Sequence, residues 1–301
     1  MKITVIGHFC LDIFHQLDGT EEKKLGGIYH FLAALANLAG DRDTIFPVFG
    51  VGETEFKEVK DALSQYKNID DSGIFQFSGE SNYVHYFGDN PNECSLNIAK
   101  PIPFSHIKKF LNVDGIYINM LSGRDITVDT IDEIRLEVRG KKTPIHLDMH
   151  CLTLRVNDDG TRVRNPMADW RRWCFMIDSV QMNAQEAAGL SGENFSDEHL
   201  AKQMIPLMVK AFIITRGASG ATLYQEEHKQ LLETEIASEA NPNPVSTIGS
   251  GDIFGVSFLY AYLKKKNYFE ATTFAEKSSA YSTKFSLSEK HAQLKAMREL
   301  L

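Results

Sequence analysis

The sequence predicts an α/β protein with three layers, α/β/α: a mainly parallel central sheet with helices on both faces, and a small β-sheet lid. Three observations carry this. Short β-branched runs alternate with amphipathic, Ala- and Leu-rich runs along most of the 301 residues, which is how βαβ units and a doubly covered parallel sheet read. Two stretches, 11–24 and 74–100, break that rhythm with strand-like pieces and few helix signals. The composition, 43% hydrophobic and 24% charged, belongs to a globular chain able to bury a sizeable core. The length suits one large α/β domain or two modest ones; the expected organisation is a single domain over 1–301, with lid segments at about 11–24 and 74–100.

The elements follow in order. Residues 3–6 form a first strand that stops at Gly7; this apolar run is too short for a signal segment. Residues 27–39 read as a helix ended by Gly40, 44–49 as a strand and 56–66 as a helix. In the second aberrant stretch, 74–77, 83–87 and 95–98 look like strands of a sheet set apart from the main one, placed over the carboxyl ends of its strands, where open α/β sheets bind ligands. Strands then recur at 115–119, 144–148, 175–182 and 211–215, separated by helices at 128–138, 184–190 and 197–209. The helix over 253–266 ends in Lys264-Lys265-Lys266, basic residues that complement its dipole and point to solvent.

Several function classes are excluded. The net charge is 32 − 40 = −8, which argues against nucleic-acid and anionic-membrane partners. No apolar stretch approaches the ~20 residues of a membrane span. The four cysteines, at 10, 94, 151 and 174, have no metal-ligand spacing and read as reduced thiols of a cytoplasmic protein. His8, His15 and His30 fit no compact metal motif. No P-loop occurs, and neither Gly7 nor Gly50-Val51-Gly52 opens a dinucleotide fingerprint.

The most informative stretch is Ser246-Thr247-Ile248-Gly249-Ser250-Gly251-Asp252-Ile253-Phe254. Two glycines flank one small residue immediately before a helix. In such a turn successive backbone N–H groups point at one spot and the helix adds its positive end, making an anion hole suited to phosphate. Asp252, in the first helical turn, could accept a hydroxyl proton beside it. The plain alternative is a capped turn, with Ser250 as N-cap and Asp252 matching the dipole.

Thr247 through Phe254 resembles the C-terminal signature of the PfkB, or ribokinase-like, carbohydrate kinases, commonly Asp-Thr-x-Gly-Ala-Gly-Asp-x-Phe, with Ser250 in place of Ala. Other segments match that family in the same order. Gly7-His8-Phe9-Cys10-Leu11-Asp12 is similar to its first strand and sugar-contacting Asp, and Leu25-Gly26-Gly27 before a helix to its Gly-Gly substrate motif. Asn183-Ala184-Gln185-Glu186 is similar to its Asn-x-x-Glu element, and Thr215-Arg216-Gly217-Ala218-Ser219-Gly220 to its nucleotide-site turn. Asp148-Met149-His150 with Arg155 loosely resembles its Asp-x-Asn-x-Arg segment. The resemblance spans Gly7 to about Ser282. It implies a ribokinase-like fold and ATP-dependent phosphorylation of a sugar or polyol hydroxyl, with Asp252 as base and the Gly249, Ser250 and Gly251 amides on the phosphoryl group. Asp12, Gly26, Gly27, Tyr29, His30 and Phe31 would line the acceptor site; Asn183, Glu186, Thr215, Arg216, Gly217 and Gly220 would serve the nucleotide. Asn183 and Glu186, at i and i+3, also read as a capping box; under the resemblance Glu186 would act on Mg²⁺ through water.

Two departures matter. Ser246 stands where many members have an Asp that helps hold a monovalent cation, so the resemblance leaves cation activation open. Phe31 stands where a sugar-binding Asn is usual, and it cannot hydrogen-bond a hydroxyl, whereas Tyr29 and His30 can. The bulkier, aromatic wall is somewhat similar to that of inositol kinases of the family. A nucleoside acceptor, with Phe9, Phe31 and Tyr83 around its base, and a catalytically silent sugar- or nucleotide-binding relative are the alternatives. Exposed lid strands offer edges for a homodimer.

Overall fold

A computed structural model describes residues 1–87, 90–239 and 241–301, so residues 88 and 89 of the expected lid segment lie outside the described residues. The chain opens with β1 (Lys2–Ile6) and passes straight into β2 (Phe9–His15) and β3 (Glu21–Gly27). After the helix Ile28–Leu38 come β4 (Thr44–Gly52), the helix Phe56–Leu63 and β5 (Ile74–Phe77), then β6 (Asn82–Phe87) and β7 (Asn90–Leu96). β8 (Gly115–Asn119), the helix Val128–Val138 and β9 (Ile145–Asp148) lead to a short ribbon, β10 (Leu154–Val156) and β11 (Arg162–Arg164). β12 (Ser179–Asn183), β13 (Ala211–Thr215), β14 (Ala221–Glu227) and β15 (Gln230–Ile236) complete the strands, and the long helices Ser250–Lys265 and Tyr268–Ser282 follow.

Nine strands form one sheet in the order β15-β14-β13-β12-β9-β8-β1-β4-β5, parallel except for the antiparallel β14 and β15. The buried runs of β1 from Ile3 to Ile6 and of all of β8 reflect cover on both faces. From β1 the chain steps outward to β4 through the helix Ile28–Leu38, whereas from β8 it steps the other way to β9 through the helix Val128–Val138. Right-handed crossovers in opposite directions put these helices on opposite faces. The helix Ile28–Leu38 packs with Ser250–Lys265, which packs in turn on Tyr268–Ser282. The strand order reverses between β1 and β8, and a crevice at their carboxyl ends is where such sheets place ligands.

The lid is a four-stranded sheet, β3-β2-β6-β7, that grows out of β1 after only Gly7 and His8. β2 pairs antiparallel with β3 and parallel with β6. The lid assignment is corrected at one point: residues 74–77 are not lid but β5, parallel to β4 on the edge of the main sheet. The alternation of Ile74-Phe75-Gln76-Phe77 suits either an antiparallel lid or a half-covered edge strand, and only the partner distinguishes them. The strand expected from 175 begins at Ser179, because Trp170–Cys174 is a short helix that buries both tryptophans. Among the described residues no helix is long and apolar enough to cross a membrane, and all four cysteines are free.

Candidate active site

The Gly249–Asp252 stretch sits at the carboxyl ends of the central strands. Gly249, at φ 74°, is the N-cap of the helix Ser250–Lys265; the left-handed conformation it needs is strained for any residue with a Cβ. Ser250 is therefore the first helical residue rather than the cap, and its amide donates to the Thr247 carbonyl at 3.1 Å. Of the three amides expected to face a phosphoryl group, that of Ser250 is thus committed to the turn. Among the described residues the N–H groups of Gly249, Gly251 and Asp252 have no backbone partner outside the helix, as first-turn amides do not.

Asp252 is half-buried, and Asn119 at the end of β8 donates to its Oδ1 at 3.1 Å. Burial pushes its carboxyl above the ordinary range. His150, His30 and the Asn119 hydrogen bond oppose the shift, and Asp12 adds to it. Below Asp252 lies Asp148, at the end of β9 and buried. Tyr117 Oη and Gln181 Nε2 both donate to its Oδ2 at 3.3 Å, and Gln181 Nε2 also reaches the Gly251 carbonyl at 3.0 Å. Burial raises Asp148 to about 8, with Glu186 and Asp252 reinforcing and His150 opposing. Asp148, His150, Gln181, Glu186, Gly251 and Asp252, with Asn183, Thr215, Thr247, Gly249 and Ser250, line a cavity of about 150 Å³.

Asn183 and Glu186 realise the capping box. Asn183 Oδ1 accepts from the Glu186 amide at 2.9 Å, and Glu186 Oε2 accepts from the Asn183 amide at 2.8 Å. Glu186 is buried but keeps Oε1 toward Asn183 Nδ2 and His150. Capping and lining the cavity are therefore not exclusive. Arg216 is committed elsewhere: its guanidinium holds Asp197 at 2.6 Å and Thr222 Oγ1 at 3.0 Å. The Gly217 and Gly220 turn closes by backbone bonds, Arg216 N–H to the Gly220 carbonyl and Gly220 N–H to the Gly217 carbonyl. Thr215 lines the cavity; Arg216, Gly217 and Gly220 do not.

On the lid side Asp12 is buried, and His30 Nε2 meets its Oδ2 at 2.9 Å. Gly26, paired with Cys10 across the β2–β3 ladder, leaves room for that carboxylate: a Cβ there would lie 2.4 Å from it. Gly27, at φ 60°, turns β3 into the helix that carries His30. The structure thus brings Asp12, Gly26 and His30 together, but sends their neighbours elsewhere. Tyr29 lies beside Tyr66. Phe31 is core, its ring 3.8 Å from that of Tyr117. The aromatic sandwich of Phe9, Phe31 and Tyr83 is not formed, since Phe9 stacks on Phe49.

Asn119, Gln181 and His150 were not read from the sequence as site residues. A polar side chain at or near the carboxyl end of a buried strand was the available signal for Asn119 and Gln181. Arg162, which reaches Ser95 and Glu93 from beneath the lid at 2.7 and 2.6 Å, gave none.

The switch-point crevice, the strand-built lid and the glycine turn at a helix start define a ribokinase-like fold. Residues 161–288 match the family model described as pfkB family carbohydrate kinase. Three solved structures share the architecture over nearly their whole length. One is a pyrophosphate-dependent kinase in the ribokinase family complexed with a pyrophosphate analog and myo-inositol (TM-score 0.75, 18% identity, 97% of this chain and 99% of that one). Another is Arabidopsis thaliana ribokinase complexed with ribose and ATP (0.71, 17%, 98% of each). The third is a Burkholderia thailandensis nucleoside kinase in complex with inosine (0.72, 14%, 100% and 96%). At these identities the structures speak for the fold. The match over residues 161–288 and the shared fold agree with the family its sequence resembles.

Proposed function

We propose that the protein transfers the γ-phosphoryl group of ATP to a hydroxyl of a sugar or polyol, with Asp252 as general base. The observation that carries this reading is the placement of Asp252 beside first-turn amides without backbone partners, at the mouth of a cavity that also contains Asn183 and Glu186. A carboxylate raised by burial is a better proton acceptor than an exposed one. The Gly249 and Gly251 amides and the helix N-terminus would spread the charge of the transferring group. The Asp12–His30 pair would orient the acceptor, as a buried carboxylate can accept from neighbouring hydroxyls.

The residues fit a hydrated Mg²⁺. Asp148, Asn183 and Glu186 are oxygen donors on one cavity, and the Ser250 Oγ and Gln181 Oε1 atoms beside it are buried without a partner. Among the described residues no group of three or more His, Cys, Asp or Glu is placed to bind a metal directly. A role through water at Glu186 suits this, since Mg²⁺ keeps several waters. When bound, the ion would neutralise donor phosphate charge.

A second donor is favoured by one observation. The cavity of about 150 Å³ over the glycine turn has room for a short phosphate chain, and one fold neighbour is pyrophosphate-dependent with bound myo-inositol. Incubating the protein with Mg²⁺ and either ATP or pyrophosphate, against a panel of sugars, polyols including inositols, and nucleosides, separates the readings. Asp252→Asn, which keeps an acceptor for Asn119, should lose at least ~100-fold in kcat on the preferred pair. Near wild-type turnover in that variant would refute Asp252 as the base. Binding without turnover for every pair would favour a silent relative.

A further inference from the structure

Lys290 is fully buried (0% exposed), yet its ammonium meets two main-chain carbonyls rather than a carboxylate: Ser246 O at 3.0 Å and Ile248 O at 2.7 Å. Burying a charge is costly unless directed bonds offset it, so this contact is a built feature. The segment it holds leads straight into the Gly249 turn. Its other side is stitched as well, since the amides of Val245 and Ser246 both approach the Thr283 carbonyl, at 2.8 and 3.4 Å. At the far end Ser279 Oγ donates to the Ser250 carbonyl at 3.0 Å. Residues 245–250 are thereby pinned through N–H groups on one side and C=O groups on the other, and the Gly249 and Gly251 amides cannot turn without breaking these bonds. Burial lowers Lys290 to about 8 while the Asp252 charge pulls the other way, so the group carries its proton at neutral pH. Two carbonyls converging on one cation form a cradle, and an ammonium is close in size and charge to a dehydrated potassium ion.

We propose that Lys290 is a positioning residue acting as a tethered monovalent cation: it fills the carbonyl cradle of residues 246 and 248, fixes the anion-binding turn, and makes the protein independent of free potassium or ammonium. The activity part rests on the kinase reading above; the cradle itself does not.

The test compares the wild-type chain, Lys290→Ala and Lys290→Met in chlorides of potassium, ammonium, methylammonium and choline at equal ionic strength, reading melting temperature and turnover. The wild type should show the same melting temperature in all four salts, and kcat should agree within about twofold. Lys290→Ala should lose about tenfold or more of kcat, as expected for a lost charge-assisted contact. It should recover part of that loss, and part of its melting temperature, in ammonium or methylammonium but not in choline. Lys290→Met, whose stem fills the space, should lose activity in every salt. Potassium dependence of the wild type, unchanged kcat in Lys290→Met, or an equal loss for Lys290→Ala in all salts would overturn the proposal. Should Lys290→Ala fail to fold, the wild-type series and Lys290→Met decide it. Should no donor–acceptor pair turn over, the melting temperatures still decide the cradle while the kinase reading fails separately.

Discussion

Adding one methyl group at Gly26 tests the proposed acceptor site most directly. The Cβ of Gly26→Ala would stand 2.4 Å from the Asp12 carboxyl carbon and from one of its oxygens, more than an ångström inside ordinary contact. The Asp12 side chain has to swing, and the 2.9 Å bond to His30 goes with it. A hydrogen bond to a charged partner is worth about 1.5–3 kcal/mol. Losing the oriented carboxylate should therefore lower acceptor kcat/KM about ten- to hundredfold. The turn at 249–251 belongs to other elements and does not move with Gly26, so donor-induced thermal stabilisation should stay at the wild-type value. The assay is steady-state kinetics varying acceptor and donor in turn, with a melting curve to confirm folding. An unchanged acceptor kcat/KM would mean that the Asp12–His30 pair does not meet the acceptor, and an equal loss for donor and acceptor would mean a general collapse.

Asp148 should make stability fall as pH rises. Its folded value of about 8 lies above the ordinary carboxylate value of 3.8, so between about pH 4 and 8 the unfolded chain releases a proton that the folded chain keeps. The contribution is full below pH 4 and lost by pH 8, and Asp148→Asn should flatten the melting temperature over that window; an unchanged slope would show that Asp148 is ionised in the fold. Arg216→Ala should leave donor binding within about twofold and cost about 0–1 kcal/mol, because its guanidinium holds Asp197 in a partly exposed pair. A large rise in donor KM would instead show that it leaves Asp197 for the phosphates.

The strands at 115–119 and 211–215 and the helix at 128–138 were legible to the residue, because buried β-branched runs and amphipathic spacing leave few alternatives. The glycine turn was legible as a possibility only: Gly-Ser-Gly before a helix cannot reveal which amide is spent internally, and Ser250 proved to be that one. Tyr29 and Phe31 show a further limit. They flank His30, yet on a helix each successive residue is rotated by about 100°, so one of three neighbours turned to Asp12 and the others to Tyr66 and Tyr117. Lys290 gave no signal, because a lysine near a chain terminus reads as solvated until its surroundings are known.

The lid's outer strand is fastened to the body. Cys94 bridges Thr161, the Ser95 amide donates to the Gly160 carbonyl at 2.8 Å, and Arg162 grips Glu93 and Ser95. The ribbon that supplies these anchors follows residues 148–150, part of the wall of the cavity over the glycine turn. Raising the lid on this side must drag the ribbon or tear it loose, so the lid and the cavity wall are joined by a short mechanical link.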